Sequence, residues 1–510
     1  MRSAHVLAGS LALVATCTLA PSTVLPAQSA RRSSARIAGA VDSLARRIVT
    51  SGIAPAFGVA VVMDGRTILA KGYGDADRTR GIPIRPNTLW YIASTTKSFT
   101  GFAAALLAFE GALDLEAPIA RVLPKATWQP DVRAESLTLN RFLSHTHHLT
   151  DGVIVTSAAF TGAIPESTWP ELLRYSPPAG HSDLVYSNLG YNVAAMAIDA
   201  VRPEGWRRFM QQRLFMPLGM RQTYARVSGL DRDRIAMPHD FRADGSQPTL
   251  PFVKTDATMN SAGGHLATLD DLARWVTVQL ELGMIDGRRV FPKEVVVRSQ
   301  TQIAPHTRAQ SKRFALFERT GWSAGWDIGS YEGERMVSRF GSYSSTRSHL
   351  SMLPGRHIGV VAMTTGRAAS LATDIVAAFA YDLEAGRPDA HDRALARLDT
   401  LIAQVARAPR MVAQADSVRA SRQQPMDRSF ADFAGTYRHD GLGAITFHVA
   451  AARLRWQWGV LNGEAEVFDA AKRSMRIELA GSGYVAEFEF PDRGAASAVR
   501  LEGMRLSRVP

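Results

Sequence analysis

Two stretches of strand-like sequence lie far apart in this chain, and any fold it adopts has to bring them together. The first comprises Phe57-Gly58-Val59-Ala60-Val61-Val62-Met63 and Thr67-Ile68-Leu69-Ala70, two apolar runs joined across Asp64-Gly65. Asp-Gly between such runs predicts a tight hairpin, because both residues tolerate the positive φ that the turn requires. The second group covers 335–340, 347–353 and 358–364 and is followed by an apolar helical stretch from Ala369 to Leu383. Between the groups, from Gly111 to about 330, helical patterns alternate with Pro- and Gly-rich loops and carry little strand signal. The expectation is an α/β (α+β) fold: an antiparallel sheet built from both ends of the segment, flanked by helices, with a mostly helical insertion domain. Residues 36–52 read as an amphipathic helix, with Ile37, Val41, Leu44 and Ile48 on one stripe.

Beyond 385 the pattern changes twice. Residues 386–426 read as a linker carrying a helix, with Leu395, Leu398, Leu401, Ile402 and Val405 in register. From Phe430 onward short alternating segments follow one another: Ile445–Val449, Leu454–Trp458, Ala465–Phe468, Met475–Leu479 and Tyr484–Phe490. They predict a small antiparallel barrel or sandwich, a barrel being the expectation, with Trp456 and Trp458 on one face by their period of two, where core packing is expected ahead of a sugar-binding platform. The expected organisation is a leader over 1–30, a main domain over 31–385, a helical linker over 386–426 and the barrel over 427–510. At 510 residues and 46% hydrophobic, the chain has enough apolar side chains for one large core and one small one.

Residues 1–30 contain one basic residue, Arg2, no acid, and an apolar run from Val6 to Ala20 that is too short to span a bilayer. They read as a secretory signal peptide cleaved near Ser29 or Ala30, which places the protein outside the cytoplasm, secreted or periplasmic, with no transmembrane segment after cleavage. Cys17, the only cysteine, lies inside this leader, so no disulfide is expected. Thr16 stands where a lipoprotein signal prefers a smaller residue, which makes lipid anchoring at Cys17 the lesser expectation. The net charge of +12 is spread along the chain without a basic block. Nucleic acid is therefore not an expected partner, whereas association with anionic cell-wall polymer fits.

The chemistry centres on Trp90-Tyr91-Ile92-Ala93-Ser94-Thr95-Thr96-Lys97, which leads into the small-residue helix Gly101-Phe102-Ala103-Ala104-Ala105-Leu106-Leu107. A lysine three residues after a serine lies one helical turn away on the same face, where a neutral amine can take the hydroxyl proton. Such pairs also arise by chance, so the reading depends on further partners: a second proton-transfer group, an amide, a cation and oxyanion donors. Candidates exist in Tyr186-Ser187-Asn188, on a loop before a helix, and in Arg339-Phe340-Gly341-Ser342, at a strand end where glycine lets a substrate approach the backbone.

This set resembles the serine β-lactamase and penicillin-binding-protein superfamily, in particular its class C β-lactamase-like branch, which also contains D-peptidases, D-amino-acid amidases and carboxylesterases. Gly111-Ala112-Leu113-Asp114-Leu115, Leu143-Ser144-His145-Thr146 and Ala262-Gly263-Gly264-His265-Leu266 support it. Phe433-Ala434-Gly435-Thr436-Tyr437 is similar to the opening of the lipocalin-like domain often appended to these hydrolases. The resemblance implies an acyl-enzyme on Ser94, with Lys97 as base or its partner and Tyr186 sharing proton transfer to the leaving group. It assigns the substrate amide to Asn188 and the oxyanion to the backbone N–H groups of Ser94 and Ser342. No cofactor or metal is implied, and the substrate is a small molecule or peptide: a β-lactam, a D-amino-acid peptide or a carboxylic ester.

The third motif departs from the family, which usually has Lys or His followed by Thr or Ser where this chain has Arg339 and Phe340. Arginine keeps the positive charge but cannot shuttle a proton, and phenylalanine removes a hydroxyl that holds the substrate carboxylate in the family. A catalytically weak sensor or binding protein of the same fold is therefore the alternative. Two other runs attract attention. Gly321-Trp322-Ser323-Ala324-Gly325 matches a nucleophile elbow but lacks the buried strand before it and the helix after it, so a strand or turn of the sheet is expected. His145-Thr146-His147-His148-Leu149-Thr150-Asp151 lacks the residues that would complete a zinc-hydrolase pattern, and a loop of solvated or capping histidines is expected.

Overall fold

The computed structural model describes residues 24–180, 183–307, 310, 316–422 and 426–510. Most of the expected leader, with Cys17, lies outside the described residues, and Val24 opens helix α1 (Val24–Thr50). The Asp64-Gly65 turn joins β1 (Ala56–Met63) to β2 (Arg66–Asp77), with φ of +50° and +70° at its two residues. A short strand β3 (Ile82–Pro83) extends this edge. The expected second group forms β7 (Glu334–Tyr343), β8 (Thr346–Leu353) and β9 (Ile358–Thr364). Pairing of β1 with β9 closes the sheet from its two ends, in register from Phe57–Thr364 to Met63–Ile358.

The stretch before 330 contributes more strand than its sequence suggests. β4 (Ala304–Pro305), β5 (Glu318–Trp322) and β6 (Asp327–Tyr331) complete a nine-stranded antiparallel sheet in the order β3-β2-β1-β9-β8-β7-β6-β5-β4. Their charged residues hide the alternation: Arg319 and Asp327 are partners in one buried ion network, so both leave water without reading as apolar. The Gly321–Gly325 run is the end of β5 and the turn to β6, and Ser323 is fully buried with its hydroxyl on the Trp326 carbonyl.

Side-chain alternation along β1 divides the core into two layers. Phe57, Val59 and Val61 face α1 and the apolar helix α5 (Ala372–Glu384). Ala56, Ala60 and Val62 face α2 (Thr96–Phe109) and α4 (Leu269–Leu280). The small residues on this face leave room for Trp90 and α4, and each buried Val or Phe stabilises by about 1.5–3 kcal/mol. Gly58 marks the closest approach: a Cβ there would sit 2.8 Å from the Trp90 ring. On the same side Trp275 of α4 packs on Phe99 and Phe102 of α2, at centroid distances of 4.6 and 5.2 Å. The regular structure of the insertion between α2 and α4 is mainly helical, in short pieces joined by long irregular segments, and includes α3 (Leu189–Val201). After α5, helix α6 (Ala390–Val405) lays Leu398, Leu401 and Val405 into the layer formed by α1 and α5.

The C-terminal strands are β10 (Gly435–His439), β11 (Gly443–Ala450), β12 (Arg453–Trp458), β13 (Leu461–Glu464), β14 (Glu466–Asp469), β15 (Ser474–Leu479), β16 (Ser482–Glu489), β17 (Ala498–Leu501) and β18 (Met504–Val509). They form a nearly closed antiparallel barrel in the order β13-β12-β11-β10-β18-β17-β16-β15-β14. Leu454, Trp456 and Trp458 point inward, as their spacing requires.

Candidate active site

Ser94 lies on a 3₁₀ turn, Ala93–Thr95, that feeds directly into α2, so Lys97 occupies the first helical turn just beyond it. Ala93 carries φ of +47°, an unusual value for a residue with a side chain, and it is buried. The turn is held from outside. Ser348 donates to the Ile92 carbonyl at 2.6 Å and bonds the Thr95 hydroxyl at 2.7 Å.

Lys97 is fully buried beneath the serine. Its Nζ donates to Ser94 Oγ at 3.4 Å, to Asn188 Oδ1 at 2.6 Å and to the Ala262 carbonyl at 2.8 Å. The ammonium also lies 4.8 Å from the centre of the Tyr186 ring. Burial, reinforced by the charge of Arg339, lowers Lys97 from 10.5 to about 8, although Tyr186 and Asp151 pull the other way. A lysine there spends an appreciable fraction of its time as a free amine near neutrality.

Arg339 reaches in from β7 and ties the site together. Its Nε donates to the Ser94 carbonyl at 3.0 Å, Nη2 to the Tyr186 hydroxyl at 2.9 Å and Nη1 to Asp327 at 3.2 Å. The guanidinium also stacks over Trp322 at 4.7 Å. Asp327 meets Arg319 as well, at 3.4 Å, so one buried carboxylate anchors two cations. Tyr186 presents 45% of its surface to the cleft while its hydroxyl points inward to Arg339. Burial alone would raise its phenol, yet Lys97 and Arg339 outweigh that and hold it below its ordinary value.

Further residues hold these groups in place. The Asp151 carboxylate accepts from the Ser187 hydroxyl and from the backbone N–H groups of Asn188 at 3.1 Å and Leu189 at 3.2 Å. It thus caps the N-terminus of α3 and fixes Asn188. His145 Nδ1 accepts the Ser187 N–H at 3.1 Å, and the ring lies 4.8 Å from that of Tyr186 and 4.4 Å from that of Trp322. Burial and the charges of Lys97 and Arg339 keep His145 well below its ordinary value, so it is neutral. The histidine loop is therefore not solvated at its start: His145 and His147 are both buried, and His147 Nδ1 accepts the Leu149 N–H at 3.1 Å. Sequence reasoning met Asp151 only in the zinc-like run, Trp322 only in the elbow-like run and His145 in the zinc-like run and a supporting motif, gave none of them a role, and did not single out Asp327; what marks them in the structure is burial beside a paired charge.

β7 passes so close to the nucleophile turn that a Cβ on Gly341 would stand 2.2 Å from the Ile92 carbonyl and 2.9 Å from the Ser94 nitrogen. Ser94, Tyr186, Arg339, Gly341 and Ser342 all line one cleft of about 910 Å³. Asn188 lines a separate cavity instead, and Lys97 lies under the floor. Phe340 turns its ring away from Ser94, between the guanidiniums of Arg319 at 4.1 Å and Arg347 at 4.9 Å and edge-on to His349. Among the described residues there is no cluster of three or more His, Cys, Asp or Glu able to hold a metal, and no helix long and apolar enough to cross a membrane.

The Beta-lactamase family profile matches residues 41–383. Penicillin-binding protein 4 of Amycolatopsis lactamdurans is 25% identical over 328 residues, 63% of this chain and 84% of that one. Among solved structures, the octameric penicillin-binding protein homologue from Pyrococcus abyssi superposes with a TM-score of 0.56 at 19% identity, covering 90% of this chain and 97% of that one. The D-amino acid amidase from Ochrobactrum anthropi SV3, complexed with L-phenylalanine, gives 0.54 at 19% identity over 72% of this chain and 99% of that one.

Proposed function

The chain belongs to the beta-lactamase family, and we propose that it is an exported serine hydrolase that forms an acyl-enzyme on Ser94 and hydrolyses a small amide or ester. The observation that carries this reading is the buried Lys97 amine, brought down to about 8 and within reach of Ser94 Oγ. In its neutral form Lys97 takes the hydroxyl proton as Ser94 attacks the carbonyl carbon. The Lys97 ammonium hands that proton to the Tyr186 phenolate, which gives it to the leaving group as the substrate bond breaks. A water then attacks the acyl carbonyl, losing a proton to the same pair, which returns it to Ser94 Oγ as the acid leaves. Arg339 supports these transfers by favouring the neutral amine and the ionised phenol. With Oδ1 occupied by Lys97, Asn188 offers its NH₂ to the carbonyl of a substrate amide. The backbone N–H groups of Ser94 and Ser342 receive the oxyanion, a contribution worth about 3 kcal/mol for each donor in such sites.

Arg339 replaces a residue that can exchange protons, which supports a second reading in which the acyl-enzyme forms but turns over slowly. A fluorescent β-lactam or an activated ester tests both. Labelling of Ser94 with steady product release supports the hydrolase, and stable labelling supports a sensor or binding protein. Absence of either, with Ser94→Ala indistinguishable from wild type, contradicts both.

A further inference from the structure

The Gly321–Gly325 run, whose serine is buried, ends in a turn that packs on the helix carrying Lys97. Gly325 has φ of +98°, and a Cβ there would stand 2.3 Å from the Lys97 carbonyl. Across the same contact, a Cβ on Gly101 of α2 would lie 2.0 Å from the Ala324 carbonyl. Two residues beyond Gly325, Asp327 opens β6, paired with Trp322 of β5 on one side and Ser338 of β7 on the other. Backbone contact thus sets the place of this buried carboxylate relative to Lys97.

Three strands bring titratable groups to Asp327. Arg339 of β7 donates to Oδ2 at 3.2 Å and Arg319 of β5 to Oδ1 at 3.4 Å, while His306, just after β4, has its Nε2 3.9 Å from Oδ1. Burial keeps His306 below its ordinary value against the pull of Asp327 and Gln310, so it adds no charge near neutral pH. Burial likewise raises the Tyr191 phenol beneath the site and keeps it neutral. Lys97 itself is faced by Tyr186, Arg339 and Asp151, and by the neutral His145. One carboxylate therefore serves two guanidiniums, and the part of the Arg339 charge left over acts on Lys97 and Tyr186.

An arginine cannot shed its proton, so its field is moderated only by a neighbouring charge. We propose that Asp327 is a positioning residue for acylation: its carboxylate offsets part of the Arg339 charge and keeps Lys97 basic enough to take the Ser94 proton, which makes Asp327 and Arg339 one functional unit. This rests on the hydrolase reading. An amine acted on by the full charge of both guanidiniums would be free at neutral pH but a weak base, whereas one that titrates close to the working pH is both available and strong enough.

The pH dependence of Ser94 labelling by a neutral activated ester, compared in wild type, Asp327→Asn and Asp327→Glu, reads this effect. Asparagine keeps an acceptor for Arg339 and removes only the charge. The midpoint of labelling is expected to move down by about one pH unit in Asp327→Asn and to stay with wild type in Asp327→Glu. The limiting rate at high pH falls in Asp327→Asn, because the amine is weaker, so the deficit closes as the pH is lowered. Arg319→Gln moves the midpoint the other way, since Asp327 is then left to Arg339 alone, and this gives a second reading should Asp327→Asn fail to fold. Ultraviolet titration of the Tyr186 phenol in Ser94→Ala protein, with Tyr186→Phe as the blank, moves in the same two directions and needs no turnover. A merely structural role would slow labelling without moving either midpoint. Unmoved midpoints, or a midpoint that rises in Asp327→Asn, overturn the proposal. Failure of the ester to label wild-type Ser94 contradicts the hydrolase reading instead and leaves the phenol titration to judge Asp327.

Discussion

Arg339 donates to the hydroxyl of Tyr186 at 2.9 Å across the cleft, from the position where the family usually carries a residue able to exchange protons. The same guanidinium holds the Ser94 carbonyl, so one side chain sets both the phenol and the nucleophile turn. Replacing it with glutamine removes a charge that lowers Tyr186, so the phenol then titrates at higher pH. Ultraviolet titration, using Tyr186→Phe as the blank, reads that shift directly. Acylation falls about a hundredfold in Arg339→Gln, and Arg339→Lys recovers only part of it, since an ammonium cannot reproduce the forked contacts.

Gly341 is required by space. A methyl group 2.2 Å from the Ile92 carbonyl forces β7 off the nucleophile turn. Gly341→Ala therefore loses acylation by about a hundredfold or more while costing about 1–3 kcal/mol in urea unfolding. Unchanged acylation would show that β7 does not set the oxyanion geometry.

Asp151 acts through Asn188. Asp151→Ala removes the cap of α3 and costs about 1–2 kcal/mol of stability. Acylation slows because Asn188 and Ser187 lose their anchor, and Asp151→Asn, which keeps one acceptor oxygen, loses less of both. Parallel urea melts and acylation rates for the two variants check the order.

Lys254 supplies a stability prediction unconnected with catalysis. Its amine is buried 3.8 Å from the centre of the Tyr343 ring, and burial lowers it from 10.5 to about 7. Between about pH 7 and 10.5 the unfolded chain binds the proton that the folded one has released. Stability therefore rises with pH across that window, and the gain is absent below it. Lys254→Met removes this term, so wild type gains on the variant in urea unfolding between neutral pH and about pH 9. A constant difference would mean that Lys254 stays charged in the fold.

The main sheet and the Asp64-Gly65 hairpin were legible because their strands are continuous apolar runs bounded by turn residues, and the inward tryptophans of the barrel because buried and exposed residues alternate there. β5 and β6 were legible only at Gly321–Gly325, where a strand or turn of the sheet is expected; elsewhere Asp327 pairs with Arg319 and Arg339 across strands, and buried charges read as exposed ones until their partners are known. Ser94, Lys97, Tyr186 and Asn188 announced themselves by local spacing. Asp151 and His145 did not, because each works on the Ser187–Leu189 segment about forty residues away, and only folding brings the two together. Both lie in the misleading zinc-like run His145–Asp151.

The central claim is that Lys97 activates Ser94, and the rate of Ser94 acylation by an activated ester against pH, with the label located by mass spectrometry, tests it most directly. The account predicts a rate that rises with pH through about 8 in the wild type and falls by about a thousandfold in Lys97→Ala. Acylation of Lys97→Ala at the wild-type rate, or a label on any residue other than Ser94, would contradict it.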